Sequence, residues 1–555
     1  MNRTDMIRRL ASESFDLLVI GGGITGAGVA REAALRGLKV GLVEAGDFAG
    51  ATSSRSTKLI HGGLRYLKNY EFRLVRESVV ERQRLLTMAP HLVKATPFLF
   101  PVYEGDPDPL WMLHVGLTLY DLFAGRHNPI PHRMLAPEAL REREPLLRGD
   151  ALKGGAVYAD SRTDDGCLTL EVIQSAVAHG AAVANYLAVT GFRKDGAGRI
   201  TGAKVKDQVS GETFTVRAGR FLAAAGPWAD AVRRMDDPGA PPLLRLTKGV
   251  HLVLPRRRLP IEHAVVMRGR DGRMMFAVPS GACTYVGTTD TDHGGDPGDY
   301  RIEWADVEYI LDAASRLFPE AGLTPDDVQA AWAGFRPLIR SGAGGDPSAA
   351  SRDYKLFHSP SGLVTVAGGK LTAFRAMASH IVDSLFPATR GGAHTVASTA
   401  PLPAAAGGLP TSERKAALAA ELGAPELVER LAGRYGAGLE QVAAEARALA
   451  QAPVRPEAGV PAGAGAADPV LRWRLAQARH AVKAEMAVHL ADVLIRRTDL
   501  MLFTPDNGRP LLPALAAEMG ALLGWDEKTA QAEVARVASL IDAMFTWKQE
   551  APARA

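Results

Sequence analysis

The chain has only two cysteines in 555 residues, Cys167 and Cys283. No CxxC pair or Cys/His cluster occurs, which excludes a structural zinc site and a disulfide framework and fits a reducing compartment. Long hydrophobic runs are also missing. A membrane span needs about 18 consecutive apolar residues. The nearest approach, 110–124 (LWMLHVGLTLYDLFA), is short and interrupted by His114 and Asp121. Before Phe15 there are basic residues but no apolar stretch with a small-residue cleavage site, so no signal peptide is read. An excess of one charge is absent too. Lys plus Arg number 65 against 61 for Asp plus Glu, a net +4, which makes no electrostatic case for nucleic acid. No metal site and no internal repeat are read.

What remains is an ordinary globular composition, 47% apolar and 23% charged, long enough for three or four domains at about 150 residues each. The first informative stretch is 15–20 (FDLLVI), an apolar run without alternation, as in a strand buried on both faces. It enters Gly21-Gly22-Gly23-Ile24-Thr25-Gly26, and small residues at helical spacing follow to Arg36. A second strand, 38–43 (LKVGLV), ends at Glu44. In this GxGxxG, Gly21 permits the tight turn, Gly23 lets the backbone approach a pyrophosphate, and Gly26 lets the helix pack on the strand. The helix N-terminus offers N–H groups to phosphate. Glu44 can accept bonds from ribose hydroxyls, which points to FAD or NAD rather than NADP. The next segment, 51–66, is rich in Ser, Thr and Gly and contains no third strand at the usual spacing. It suits wrapping a long cofactor and holding a flavin.

At this point the chain resembles the FAD-dependent, respiratory glycerol-3-phosphate dehydrogenases, relatives of the glycine and D-amino-acid oxidase flavoproteins. The resemblance rests on GGGITGAG at 21–28, ATSSRSTKLIHGGLRYL at 51–67 and YEFRLVRESVVER at 70–82. It continues through AAGPW (224–228), LTKGVHLV (246–253), YVGTTD (285–290), GFRPL (334–338), SRDY (351–354), GGKLT (368–372) and IRRTDL (495–500). One departure is Ala223-Ala224-Ala225 where the family has Asn-Ala-Thr before Gly-Pro-Trp.

The resemblance implies an α/β fold with a Rossmann-type FAD-binding domain interleaved with a mainly antiparallel-sheet substrate domain, plus an all-α C-terminal domain. The FAD pieces are expected at about 15–90, 150–230 and 350–385, and the substrate domain at 91–149 and 231–349. The β-rich runs 249–255, 264–267, 274–279 and 284–289 agree with an antiparallel sheet. A Pro/Gly/Ala linker is expected over 386–410 and a helical domain over 411–548, with helices starting at Ser412, ending near Ala450, and covering 480–497 and 529–545. The Ala-, Gly- and Pro-rich stretch 452–469 reads as an exposed loop.

By the same resemblance the cofactor is FAD, held by Gly21, Gly23, Gly26, Glu44, Thr52, Ser53, Ser54, Lys58, His61 and Gly62 from the first third of the chain. Gly226, Gly369, Lys370, Leu371 and Thr372 complete that set. The substrate is glycerol 3-phosphate, bound by Arg65, Arg336, Arg352, Lys370 and His251, with Arg352 also placed to pair with Asp353. A phosphate dianion calls for the planar fork of arginine. The implied catalytic residues are His251, Arg336 and Lys370. A neutral imidazole can take the C2 hydroxyl proton. The implied acceptor is membrane quinone, reached from a peripheral position on the inner face of the cytoplasmic membrane, with a homodimer compatible. An oxygen-using, peroxide-releasing oxidase is the alternative enzyme, and an inactive flavin-binding sensor is the alternative outside enzymes. Residues 110–124 with the following cations suit either an interfacial contact with lipid head groups or a buried helix.

Overall fold

In a computed structural model, residues 1–64, 71–125, 128, 130–340, 354–389, 398–451 and 468–552 are described. The run FDLLVI forms the strand Ser14–Ile20 at the centre of an eight-stranded sheet. Its neighbours, Thr213–Ala223 on one side and Val40–Val43 on the other, run parallel to it. Leu363–Ala367 and Ala182–Ala184 extend the parallel array outward. Leu17 and Val19 face a helical layer made by Ile24–Leu35, Asp165–Ala178 and Phe374–Leu385. Leu18 and Ile20 face the opposite layer, where Leu187–Lys194 and Ile200–Asp207 pair antiparallel. Covering on both faces is why the strand shows no polar alternation.

The second sheet has ten strands. Leu244–Pro255 is flanked by Cys283–Gly287 and Ala330–Ile339, both antiparallel to it, and the sheet continues through Met274–Ser280 and Ala264–Arg268. One parallel joint, Ala264–Arg268 beside Lys94–Tyr103, connects this half to Leu152–Arg162 and Leu59–Ile60. The two sheets therefore interleave more finely than the expected segments. Leu59–Ile60 and Leu152–Arg162 fall inside the pieces assigned to FAD binding, yet they hydrogen-bond in the second sheet. Their pull is the long antiparallel ladder that Leu152–Arg162 makes with Lys94–Tyr103.

The C-terminal region is helical, with Ser412–Leu422, Pro425–Tyr435, Leu439–Gln451, Pro469–Glu485, Leu512–Leu523 and Glu527–Ala543. Thr411 caps the first of these by accepting the Arg414 N–H at 3.1 Å. The expected helix over 480–497 is broken. Pro469–Glu485 stops where Met486 adopts a φ of 56°, and helical turns resume only at Leu490. The carboxylate of Asp492 causes the restart by accepting the N–H groups of Val488 and His489 at 3.0 and 2.9 Å. Within the linker, Pro387–Thr389 and Pro403–Ala406 form short turns, while 390–397 and most of 452–469 lie outside the described residues.

One buried charge cluster fastens this region to the first sheet. Asp47, 3% exposed, lies just beyond the second strand. It receives bonds from Arg496 and from two nitrogens of Arg497, of which Nη2 to Oδ1 is 2.8 Å. Arg496 Nη2 also donates to Asp492 at 2.7 Å, and Arg497 Nη2 to the Glu485 carbonyl at 3.0 Å. Burial alone would raise the Asp47 pKa, but the charges of Arg497 and Arg496 outweigh it and hold the carboxyl below its ordinary value. Removing one partner of such a cluster leaves buried charge uncompensated. Asp47→Asn is therefore expected to destabilise the protein by about 3–5 kcal/mol at neutral pH, read from denaturant unfolding. Because the native pKa is depressed, the carboxylate contributes fully above the unfolded value near ~3.9 and less as pH falls below it. The gap between wild type and Asp47→Asn should close in that acid range.

Candidate cofactor and active site

A cavity of about 750 Å³ runs from the carboxyl ends of the parallel strands to the face of the second sheet. At its first end the glycine turn is obligatory. Gly21 has a φ of +117°, and a Cβ there would lie 2.4 Å from the Ala224 carbonyl oxygen. A Cβ on Gly26 would lie 1.9 Å from the Gly21 carbonyl oxygen. Gly23 precedes the helix Ile24–Leu35 and provides no side-chain cap of its own, so a phosphate can approach the first turn, where the Ile24 N–H is held by Ser53. Glu44 is oriented by two backbone donors, Gly22 N–H to Oε2 at 2.6 Å and Gly46 N–H to Oε1 at 2.8 Å. Burial pushes its carboxyl pKa up, against the pull of those donors.

The following loop divides between two sides. Thr52, Ser53, Arg55, Ser56 and Thr57 line the cavity. Ser53 Oγ accepts the Ile24 N–H at 2.8 Å, and Thr52 Oγ1 donates to the Phe335 carbonyl at 2.7 Å, tying the loop to the second sheet. Ser54 and Lys58 point away. The Ser54 hydroxyl donates to the Ala49 carbonyl at 2.7 Å, and Lys58 Nζ donates to Asp165 at 2.6 Å and to the Ser54 carbonyl at 3.1 Å. Gly62 also stands off the cavity, its N–H on Tyr120 at 2.7 Å and Asp160 at 3.1 Å. These three expected cofactor residues thus belong to the loop's support rather than to the cavity wall. His61, Gly226, Gly369, Lys370, Leu371 and Thr372 do line the wall.

At the far end the second sheet presents His251 and Arg336. The His251 ring is 2% exposed and stacks on Trp332 with centroids 4.6 Å apart and planes at 10°. Its Nε2 lies 3.0 Å from Thr57 Oγ1, on the cavity wall. Gly287, its cross-strand partner, makes room for the ring, since a Cβ there would lie 2.3 Å from Cδ2. Burial, then the positive charges of Arg336 and Lys58, lower its pKa well below the ordinary imidazole value. His251 is therefore neutral across the physiological range and can accept a proton. Arg336 Nη1 donates to Asp290 at 3.0 Å, and Nη2 to Thr288 Oγ1 and the Thr289 carbonyl, both at 3.2 Å.

A side chamber of about 100 Å³ adjoins this end and shares Thr57, His61 and Arg336 with the main cavity. It adds Arg273, Thr288 and Asp290. Arg273 escaped the sequence reading because it sits in a turn, Gly269–Gly272 closing by a 3.0 Å backbone bond just before it, with no periodic cue. Arg55 also escaped. It lies half-buried beneath Tyr300, its guanidinium carbon 3.9 Å from the ring centroid. Trp332 was missed as well, although it stacks on the imidazole. Arg65 and Arg352 lie outside the described residues.

The arrangement is a glycine cradle for a pyrophosphate, an acidic ribose partner and, at the opposite end, a neutral imidazole among arginines. This donor set fits FAD. The family described as FAD dependent oxidoreductase matches residues 16–375, and the C-terminal domain of alpha-glycerophosphate oxidase matches 395–530. An aerobic glycerol-3-phosphate dehydrogenase of Staphylococcus haemolyticus is 36% identical, covering 95% of this chain and 94% of that protein. An alpha-glycerophosphate oxidase of Streptococcus pneumoniae is 35% identical, with 94% of each chain covered. Among solved structures, a glycerol-3-phosphate dehydrogenase from Bacillus halodurans complexed with FAD superposes with a TM-score of 0.80 at 33% identity, covering 98% of both chains. The glycine cradle and the helical C-terminal region thus have one common explanation: the chain belongs to the FAD dependent oxidoreductase family, with FAD as its cofactor.

Proposed function

We propose that the protein oxidises sn-glycerol 3-phosphate to dihydroxyacetone phosphate and passes the electrons to membrane quinone. The observation that carries the reading is the side chamber, where Arg336 and Arg273 converge, with Arg336 also acting on the buried neutral His251 in the adjoining cavity. Two guanidinium forks suit a phosphate dianion. Bound FAD supplies the hydride acceptor, N5. His251 holds the C2 hydroxyl and takes its proton at Nε2, with the ring fixed between Trp332 and Gly287. Arg336 and Lys370 orient the substrate and offset negative charge that develops on the C2 oxygen. Arg65 and Arg352 are assigned to the phosphate by family resemblance.

The quinone reading draws on the relatives. The alignment with the Streptococcus pneumoniae oxidase runs over 590 positions, more than the 555 residues of this chain, so the oxidase carries residues that this chain lacks. The Staphylococcus haemolyticus dehydrogenase aligns over 542. Among the described residues no helix is long and apolar enough to cross a membrane. The helix Leu110–Ala124 instead buries Leu113, Leu117 and Tyr120 and turns Trp111, Met112, Val115 and Leu122 outward. Trp111 and Leu122 are 66% and 71% exposed. An apolar outer face with an aromatic suits a lipid interface, which supports the reading of a peripheral protein, assigned by family resemblance to the inner face of the cytoplasmic membrane.

Five measurements test the reading. Anaerobic addition of glycerol 3-phosphate should bleach the flavin band, and glycerol or glycine should not. Reoxidation should then proceed with a soluble quinone and release little peroxide in air, whereas rapid peroxide formation selects the oxidase instead. His251→Asn should slow single-turnover flavin reduction by about 10²–10⁴-fold, the usual worth of a general base, with little change in substrate affinity. Because the native imidazole pKa is depressed, the wild-type rate should stay flat through pH ~6.5 and fall only at lower pH. Trp111→Glu combined with Leu122→Glu should abolish co-sedimentation with liposomes while leaving flavin bleaching intact.

A further inference from the structure

Behind the loop that lines the flavin cavity lies a second cavity of about 390 Å³, open to solvent and walled by the second sheet, the start of the helix Asp165–Ala178 and the C-terminal helices. Six cations converge on it: Lys58, Lys94, Arg162, Arg430, Arg434 and Arg474. The carboxylates present do not balance them. Asp165 is committed to Lys58 at 2.6 Å and Asp164 to Arg434 at 2.7 Å. Asp499 is shared by Arg430 and Arg474, the latter at 2.9 Å. Glu429 is held by Lys415 at 2.7 Å, and its charge also reaches Lys94.

Among the described residues neither Lys94 nor Arg162 forms an ion pair with a carboxylate, and they are direct cross-strand neighbours in the Lys94–Tyr103 and Leu152–Arg162 ladder. Like charges placed opposite one another destabilise a sheet. Arg162 makes only a 3.3 Å bond to the Pro279 carbonyl. The Lys94 ammonium lies against the backbone of Gly433, where a Cβ would come within 3.2 Å of Nζ. Burial and then the neighbouring Arg162 charge lower the Lys94 pKa, and burial and then Arg430 lower that of Arg474 to about 10. Six cations against four carboxylates, gathered around a space open to solvent, are what a polyanion site looks like before its ligand arrives.

We propose that this interdomain cavity binds a small oxyanion with two or more negative charges, distinct from the substrate, and that its occupancy is felt in the flavin site. The ligand chemistry is phosphate or carboxylate oxygen on a compact polyanion, since guanidinium forks and an ammonium recognise both. The coupling is one loop thick. Lys58 and Ser54 line the new cavity, and the intervening residues line the old one. Asp165, the partner of Lys58, also accepts the Ser56 N–H at 3.0 Å and hydroxyl at 2.7 Å. The Ser56 carbonyl accepts the indole N–H of Trp332 at 3.2 Å, and Trp332 stacks on His251. An anion that draws on Lys58 therefore acts on the group that sets the imidazole.

The probes are inorganic pyrophosphate and citrate, one for each oxygen chemistry, titrated calorimetrically into the flavin-loaded protein at low ionic strength. Lys94→Gln should weaken binding of the preferred probe by about tenfold or more, the worth of one charge-assisted bond. Without the probe, the same variant should melt at or above the wild-type temperature, because a repulsion has been removed. A residue with only a structural role would lower it. Arg336→Ala, in the other cavity, should retain binding. The flavin absorption band should shift on addition of the probe to wild type and not to Lys94→Gln. The proposal is overturned if neither probe binds, if Lys94→Gln binds as tightly as wild type, or if Arg336→Ala abolishes binding, which would assign the anion to the substrate chamber. None of these readouts requires turnover, so loss of the proposed dehydrogenase chemistry would not be mistaken for loss of this site.

Discussion

The buried carboxylate of Asp47 is the point on which the architecture turns. It follows Glu44 by three residues and lies against the nucleotide end of the large cavity, together with Arg496. A lone carboxylate with no solvent access would cost several kcal/mol. Two guanidiniums from a segment some 450 residues away remove that cost, and in doing so they fix where the helical domain sits. The strand-and-helix motif that cradles a pyrophosphate is thus finished by a distant part of the chain. Asn185 reinforces the arrangement, its amide donating to Asp47 at 3.0 Å and to the Met486 carbonyl at 2.8 Å. The turn at Met486 that interrupts the helix is what brings that carbonyl within reach.

The second organising element is the loop 51–58. It is an unremarkable length of Ser, Thr and Arg in sequence, yet it forms the partition between a flavin cavity and a cationic cavity. Its two faces carry different chemistry: Thr52, Ser53, Arg55, Ser56 and Thr57 line the flavin cavity, Ser54 and Lys58 line the cationic one, and Asp165 holds both the Ser56 hydroxyl and Lys58. Electrostatics cross the partition as well. Lys58 contributes to keeping His251 neutral although it does not enter the flavin cavity. The imidazole is therefore tuned from both sides, by Arg336 within the site and by an ammonium behind it.

How much was legible in the sequence follows from how local each cause is. The nucleotide turn was legible, because Gly21, Gly26 and Glu44 lie on one short strand-helix-strand unit and their steric requirements involve near neighbours. The antiparallel runs of the second sheet were legible for the same reason. The continuous helix read over 480–497 was not correct, because periodicity continues through Met486 while the Asp492 carboxylate captures two amides and restarts the backbone. Ser54, Lys58 and Gly62 were placed with the cofactor because motif membership does not reveal which side of a loop a residue faces. Arg55, Arg273 and Trp332 were overlooked because their roles come from tertiary stacking and convergence, which leave no periodic trace.

The interleaving of the two sheets also has a consequence for synthesis. Ser14–Ile20 emerges first, but its partner Thr213–Ala223 and the next strand, Leu363–Ala367, come much later. The glycine turn closes against Ala224, whose N–H bonds the Ile20 carbonyl at 2.8 Å. A nascent chain therefore cannot complete its nucleotide cradle until the middle of translation, and the strand edge awaiting Leu363–Ala367 stays uncovered for a further period on the order of ten seconds at about 5–20 residues per second. Such an edge is a template for unwanted pairing. Cofactor capture is then a late event on the ribosome, and the vulnerable interval is set by the order in which the chain delivers its strands.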